Sequence, residues 1–196
     1  MYRFLKPILD GAAAAVCLLI LWPFMLLLAA VIRIDSPGPV LFRQRRAGRG
    51  DRLFTIYKFR TMRIDTPRDM PTHMLAGAAR HITRVGGFLR RSSLDELPQL
   101  LNILFGQMSF VGPRPALWNQ DDLIALRREN GADRVRPGLT GWAQVNGRDE
   151  LPIAEKAALD GYYAANFSPV LDVRILWRTA LQVFRGSGVV EGATRS

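Results

Sequence analysis

The chain has 196 residues, with 27 lysines and arginines against 17 acidic residues, and a formal net charge of +10. That excess points to an anionic partner, whether nucleic acid, anionic lipid or a phosphorylated substrate. A single cysteine, Cys17, excludes an internal disulfide, and the two histidines, His73 and His81, lie near no Cys or carboxylate cluster at zinc-ligand spacing, which argues against a structural zinc centre.

At the N-terminus Arg3, Lys6 and Asp10 precede the run from Gly11 to Ile32, which contains no charged residue. Such a run suffices to span a bilayer core of about 30 Å. A cleaved signal peptide fits less well, since its apolar region should be shorter and no small-residue cleavage site precedes an obvious new beginning. Pro23 lies near the middle of the run. Proline removes one helix hydrogen bond and clashes with the preceding turn, so a kink is expected there. Positive charge flanks the run on both sides, with Arg3 and Lys6 before it and Arg33, Arg43, Arg45, Arg46 and Arg49 after it. Both groups resist export. A kinked helix that enters and leaves by one leaflet satisfies both; an ordinary tilted span with a tolerated proline is the alternative.

Ser36-Pro37-Gly38-Pro39 closes this segment with turn chemistry. Val40–Arg45 and Leu53–Phe59 then read as β-prone stretches around Ala47-Gly48-Arg49-Gly50-Asp51, a hairpin, with Lys58, Arg60 and Arg63 at its end. Thr66 to Gly77 reads as a surface loop. Ile82 to Arg91 looks helical, and a second amphipathic helix is expected from Ser93, because Leu94, Leu97, Leu100, Leu101, Leu104 and Phe105 recur at helical spacing.

At the start of that helix stand Asp95 and Glu96, two adjacent acids behind Arg90 and Arg91. Ser93 and Glu96 have the Ser-x-x-Glu spacing of a capping box, in which each side chain satisfies an N–H of the first turn. The sharper reading makes Asp95 a nucleophile or base, held where a helix start and basic side chains would receive phosphate. Gly106 to Pro115 is a turn-rich connector in which Pro113 and Pro115 stiffen the backbone around Arg114. Asp121 to Asn130 reads as a polar surface helix. Arg136 to Arg148 is glycine-rich, and its successive N–H groups could form an anion nest. Val170 to Arg185 is an amphipathic helix with Arg174, Arg178, Gln182 and Arg185 on one face, suited to a membrane surface or to a core helix with a solvated edge.

Rigidly placed arginines, namely Arg90, Arg91, Arg114, Arg136 and Arg148, around an acidic pair suggest phosphoryl chemistry at a bilayer. Neighbouring carboxylates can also hold Mg²⁺. No Gly-x-x-x-x-Gly-Lys-Ser/Thr loop is present, so a P-loop NTPase is excluded. A non-enzymatic module binding nucleic acid or anionic lipid would carry its charge on an exposed face with interleaved aromatics. Here the arginines sit beside Pro, Gly and the acids, which favours a pocket.

Tyr57-Lys58-Phe59-Arg60-Thr61-Met62, Ser93 to Leu100, Met108 to Pro115 and Val135 to Arg148, taken in order, resemble the bacterial sugar transferases, the monotopic phosphoglycosyl transferases. The resemblance runs from the apolar segment to about Ser187 and corresponds to the minimal catalytic form. It implies an α+β, mostly helical fold: residues 1–36 a re-entrant membrane helix kinked at Pro23, residues 37–187 a catalytic domain with a small β-hairpin and amphipathic interfacial helices, and residues 188–196 a short tail. It further implies transfer of a sugar-1-phosphate from a UDP-sugar to undecaprenyl phosphate with release of UMP, an early membrane step of exopolysaccharide, O-antigen or other glycan synthesis. Asp95 would be the nucleophile that carries the phosphosugar, and Glu96 the Mg²⁺ ligand. Arg90, Arg114 and Arg148, with Lys58, would bind phosphate. The implied location is the cytoplasmic face of the bacterial inner membrane, in contact with lipid and not with nucleic acid. Trp22 stands before Pro23, where some members place a small hydroxyl residue, so the bend must be supported otherwise. Donor sugar and oligomeric state are not encoded in these motifs. A glycosyltransferase that releases UDP is the enzymatic rival.

Overall fold

The computed structural model describes residues 1–67, 77–147 and 151–184. Helix α1 runs from Tyr2 to Asp35, with Pro7 and Pro23 inside it and helical chain on either side of each. It is long and apolar enough to cross a membrane, and its 34 residues extend about 50 Å. One stripe of α1 faces the protein. Ala14, with Cys17, Leu18 and Leu21, packs against Leu100, Ile103 and Met108. Leu28 and Ile32, with Met25 and Ala29, pack against Phe59 and Leu89. The spacing of three and four residues is that of one helix face. The remaining surface is apolar and exposed, including Ile8, Leu19, Ile20, Trp22, Leu26, Leu27 and Ile34.

Both ends of α1 are tied to the same body. Tyr2 and Lys6 donate to Asp172, and Asp10 accepts from Ser109 at 2.6 Å. At the far end Asp35 accepts from the Val85 amide.

Strands β1 (Leu41–Ala47) and β2 (Leu53–Phe59) form the expected antiparallel hairpin, in register from Leu41 opposite Phe59 to Ala47 opposite Leu53. The helix expected over Ile82–Arg91 is α3 (Arg84–Arg91), and a separate short helix, α2 (Ala78–His81), precedes it across a break at Ile82 and Thr83. The break has two causes: Ile82 bridges Met62, and Thr83 caps α3 by accepting from the Gly86 amide at 2.9 Å. A 3₁₀ turn over Leu94–Glu96 then leads into α4 (Gln99–Leu104), where a single helix had been expected. The Gly106–Pro115 connector contains a short strand, β3 (Ser109–Val111), which pairs in parallel with β4 (Gly138–Thr140) in the glycine-rich segment.

Helix α5 (Asp121–Asn130) lies where the sequence places it, followed by α6 (Trp142–Val145), α7 (Ile153–Asn166) and the amphipathic α8 (Pro169–Phe184). Helix α7 was not anticipated. Arg127 of α5 and Asp160 of α7 form a buried ion pair between them. Gly161 permits the close approach, since a Cβ there would stand 2.7 Å from Asn130 Cγ. The Thr66–Gly77 loop falls almost wholly outside the described residues, and the 188–196 tail entirely so.

Asn102 fastens α4 to the hairpin. Fully buried, it accepts from the Tyr57 amide at 3.1 Å and donates to the Thr55 carbonyl at 2.7 Å. Asn102→Leu strands both backbone groups away from water, so a loss of about 2–4 kcal/mol in denaturant unfolding is expected. An unchanged midpoint would contradict the clamp.

Candidate active site

The acidic pair sits on the 3₁₀ turn between α3 and α4. Ser93 adopts a left-handed conformation, φ 57°, and its side chain caps nothing. The capping box is therefore not formed. The Glu96 amide donates to the Ser93 carbonyl at 3.2 Å, while the Glu96 side chain is drawn away by tertiary contacts. Lys58 Nζ from β2 lies 2.6 Å from Glu96 Oε1, and Arg114 Nη2 from the Pro113–Pro115 segment lies 2.9 Å from the same oxygen. These two cations hold the Glu96 carboxyl far below the usual carboxylate range, although burial alone would raise it.

Asp95 is the opposite case. It is 9% exposed, and among the described residues no hydrogen bond or ion pair holds its carboxylate. Burial pushes its pKa up to about 6. The positive charge of Lys58 opposes that shift, the neighbouring Glu96 adds to it, and Arg90 and Arg114 oppose it further. One carboxylate is thus fixed and charged, and its neighbour is buried, unengaged and close to its protonation point. Divergent environments for adjacent acids are the usual mark of divided chemical roles.

Arg90 is steered from α3 by a bond from its Nε to Thr61 Oγ1 at 2.9 Å. Gly86 makes this possible: a Cβ there would stand 2.0 Å from the Thr61 carbonyl, so only glycine lets α3 approach the end of β2 so closely. Lys58, Arg90, Asp95, Glu96 and Arg114 are therefore brought together as expected. Arg148 lies outside the described residues. Thr61 and Asn102 were missed as positioning residues. Thr61 had a signal in its place within the Tyr57–Met62 motif, whereas Asn102 lies just beyond the Ser93–Leu100 motif and carried none. Gln99, one turn beyond Asp95, is 2% exposed, and its Nε2 has no partner among the described residues. That leaves a buried donor unengaged four residues beyond Asp95.

The anion nest is not formed as expected. Within that segment the Gly138 amide donates to the Pro113 carbonyl, the Val145 amide to Gly141 and the Asn146 amide to Ala143, while the Thr140 carbonyl accepts from the Gly112 amide, so β4 is joined to the end of β3. The glycines serve packing. A Cβ on Gly138 would fall 2.1 Å from the Gly112 amide nitrogen, and one on Gly141 would fall 2.1 Å from its carbonyl oxygen. This tight backbone stack is what presents Arg114.

A Mg²⁺ ion at the two carboxylates would have to be of the kind that keeps waters and shares substrate phosphates. Glu96 Oε1 is occupied by Lys58 and Arg114, which leaves its other oxygen and the Asp95 carboxylate. Among the described residues no group of three or more His, Cys, Asp or Glu could hold a metal, so substrate oxygens would have to complete the coordination.

This geometry occurs in a chain that matches the bacterial sugar transferase family over residues 1–186, and the chain belongs to that family. It is 44% identical over 185 residues to a UDP-glucose:undecaprenyl-phosphate glucose-1-phosphate transferase of Xanthomonas campestris, covering 91% of this chain and 38% of the relative. It is 40% identical over 197 residues to the exopolysaccharide production protein PSS of Rhizobium leguminosarum, covering 94% of this chain and 98% of the relative. A third relative is a UDP-N-acetylgalactosamine-undecaprenyl-phosphate N-acetylgalactosaminephosphotransferase of Aeromonas hydrophila, 39% identical over 193 residues. The chain thus spans less than half the length of the first and third relatives, 38% and 45%, and nearly all of the second.

Proposed function

We propose that the protein transfers a sugar-1-phosphate from a UDP-sugar to undecaprenyl phosphate, with Asp95 as the covalent carrier. The single observation that carries this reading is the buried, unengaged Asp95 carboxylate beside a Glu96 already held by Lys58 and Arg114. In the first half-reaction an Asp95 oxygen bonds to the β-phosphorus of the donor. The bond from that phosphorus to the α–β bridging oxygen breaks, and UMP leaves with the bridging oxygen. In the second, a phosphate oxygen of undecaprenyl phosphate bonds to the same phosphorus. The acyl-phosphate bond breaks, returning the Asp95 carboxylate and yielding the undecaprenyl diphosphate sugar. A carboxylate nucleophile divides one transfer between two dissimilar substrates into two steps at one site.

Lys58 and Arg114, positioned by Glu96, and Arg90, positioned by Thr61, face the donor's phosphates and stabilise charge on the departing UMP. Gln99 Nε2 can donate to a phosphoryl oxygen. Mg²⁺ bound at the pair would supply further neutralisation of the diphosphate. The relatives' names include both glucose and N-acetylgalactosamine donors, so a screen of UDP-sugars for UMP release tests the reading and finds the donor together. UDP as the product would favour the glycosyltransferase alternative.

We further propose a monotopic placement on the inner membrane, with the active site at its cytoplasmic face. In support, α1 is held at both ends and along one stripe by the same body, while its other faces are exposed and apolar. Such a helix lies in one leaflet beside its domain more readily than across the bilayer from it. Pro23 lies on the exposed face, where its missing N–H makes it the natural point of bending. An N-terminus labelled from the periplasm would contradict this placement.

A protonated Asp95 cannot attack phosphorus. Because its pKa stands near 6, kcat/KM is expected to fall about tenfold per pH unit below about 6. A profile flat down to pH 5 would contradict the assignment.

A further inference from the structure

A second basic centre lies away from Asp95. An open cleft of about 60 Å³ is lined by Arg3, Lys6, Arg49, Arg134 and Arg136, together with Asp10. Asp10 is already engaged, accepting from Ser109 at 2.6 Å and lying 3.5 Å from Lys6. Lys6 is in turn 2.6 Å from Asp172. Among the described residues the guanidinium groups of Arg3, Arg49, Arg134 and Arg136 have no ion pair and no hydrogen bond. Four such groups around one cleft repel one another unless an anion lies between them.

Its surroundings say where that anion comes from. On α1 next to Arg3 and Lys6, Phe4 is 81% exposed and Ile8 68%; on α8, Val170 is 79% exposed and Trp177 66%. Asp172 joins these two helices at this end through Tyr2 and Lys6. The cleft therefore lies where two helices with exposed apolar faces are joined, on the inner sides of both, which sets its basic side chains at the level of a headgroup layer. The cleft is not a subsite for the transferred phosphate. Arg49 lies in the turn at one end of the hairpin and Lys58 near the other, about 20 Å apart at the strand rise per residue.

We propose that this cleft binds the phosphate of an anionic membrane phospholipid and so clamps the start of α1 to the headgroup layer. Guanidinium groups suit phosphate oxygens in geometry as well as charge, and each basic residue near an anionic surface adds to the attraction. The inference rests on the membrane placement of α1 and not on the transfer reaction, so it is tested without donor.

The full chain in neutral detergent is unfolded thermally with dihexanoyl phosphatidylglycerol, with dihexanoyl phosphatidylcholine, or with inorganic phosphate. Phosphatidylglycerol raises the midpoint by about 3–6 °C, as for a ligand well above its Kd, and the other two leave it unchanged. The double variant R49Q/R134Q, both positions exposed, loses that rise while keeping its lipid-free midpoint and its rate of UMP release. Arg49→Gln alone, in the hairpin turn, loses about half of the rise and stands in should the double variant fold poorly. An equal rise with inorganic phosphate would make this a soluble-anion site, and an equal rise with phosphatidylcholine would make the effect apolar. Either result overturns the proposal, as does a full rise in the variants. In the unaltered chain, the rise with phosphatidylglycerol but no UMP release from any UDP-sugar would count against the proposed reaction and leave this proposal standing.

Discussion

Asp95→Asn yields a protein that is inactive and more stable. The amide keeps the shape of the carboxyl, so the turn between α3 and α4 is undisturbed, but it is not a nucleophile. Turnover falls by about 10³–10⁵-fold. Stability moves the other way. The folded pKa of Asp95 is raised to about 6 by burial, so the folded state binds the proton more tightly than the unfolded chain. Its contribution to stability therefore declines as pH rises from the ordinary carboxylate value through about 6, and at pH 8 the ionised group is a net cost. Removing that charge gains about 1–3 kcal/mol at pH 8, and the gain shrinks towards pH 4. A variant that loses activity and gains stability indicates a group retained for chemistry. Thermal unfolding and UMP release on the same preparation check both halves. A destabilised Asp95→Asn would show that the carboxylate is a structural element.

Glu96→Gln gives the opposite stability result. Lys58 and Arg114 both lie on Glu96 Oε1, and the Glu96 side chain is only 17% exposed. Neutralising it leaves two partly buried cations facing each other without a counter-charge, at a cost of about 3–5 kcal/mol. The folded pKa of Glu96 is depressed, so its stabilisation is fully present above the ordinary glutamate value and is lost as pH falls below it. Activity falls as well, because Lys58 and Arg114 lose their positions. Unfolding followed from pH 7 down to pH 3 separates the effects: the gap between wild type and variant is full at pH 7, begins to narrow below about 4.5, and closes only once pH falls through the depressed folded pKa. A gap that does not narrow at all between pH 5 and pH 3 would contradict the ion-pair account.

The two predictions rest on neighbours in the chain that do opposite work, and the sequence showed only part of that difference. Periodicity was enough for the hairpin, α5 and α8, where hydrophobic spacing and local propensity agree with the fold. The capping box had the right residues at the right spacing, yet Ser93 enters the turn with φ 57° and Glu96 turns towards Lys58 and Arg114, which are 38 residues before it and 18 after it. No local rule reports contacts at that separation. The same holds for Thr61 steering Arg90 and for Asn102 holding β2. The glycine-rich segment was legible as rigid but not as a strand, because its parallel pairing is with a distant stretch: the Gly138 amide donates to the Pro113 carbonyl and the Thr140 carbonyl accepts from the Gly112 amide. The apolar run was legible as one helix long and apolar enough to cross a membrane; its attachment at both ends to one body came only from Asp172, Ser109 and Val85.

The central claim is that Asp95 carries the phosphosugar. The most direct measurement is intact-protein mass after incubation with a competent UDP-sugar and Mg²⁺ but no polyprenyl phosphate. The account predicts a stoichiometric burst of UMP and a mass increase equal to one sugar phosphate, located on Asp95, labile to hydroxylamine, discharged by added undecaprenyl phosphate and absent from Asp95→Asn. UDP in place of UMP, or UMP formed only when acceptor is present and with no adduct on Asp95, would contradict it.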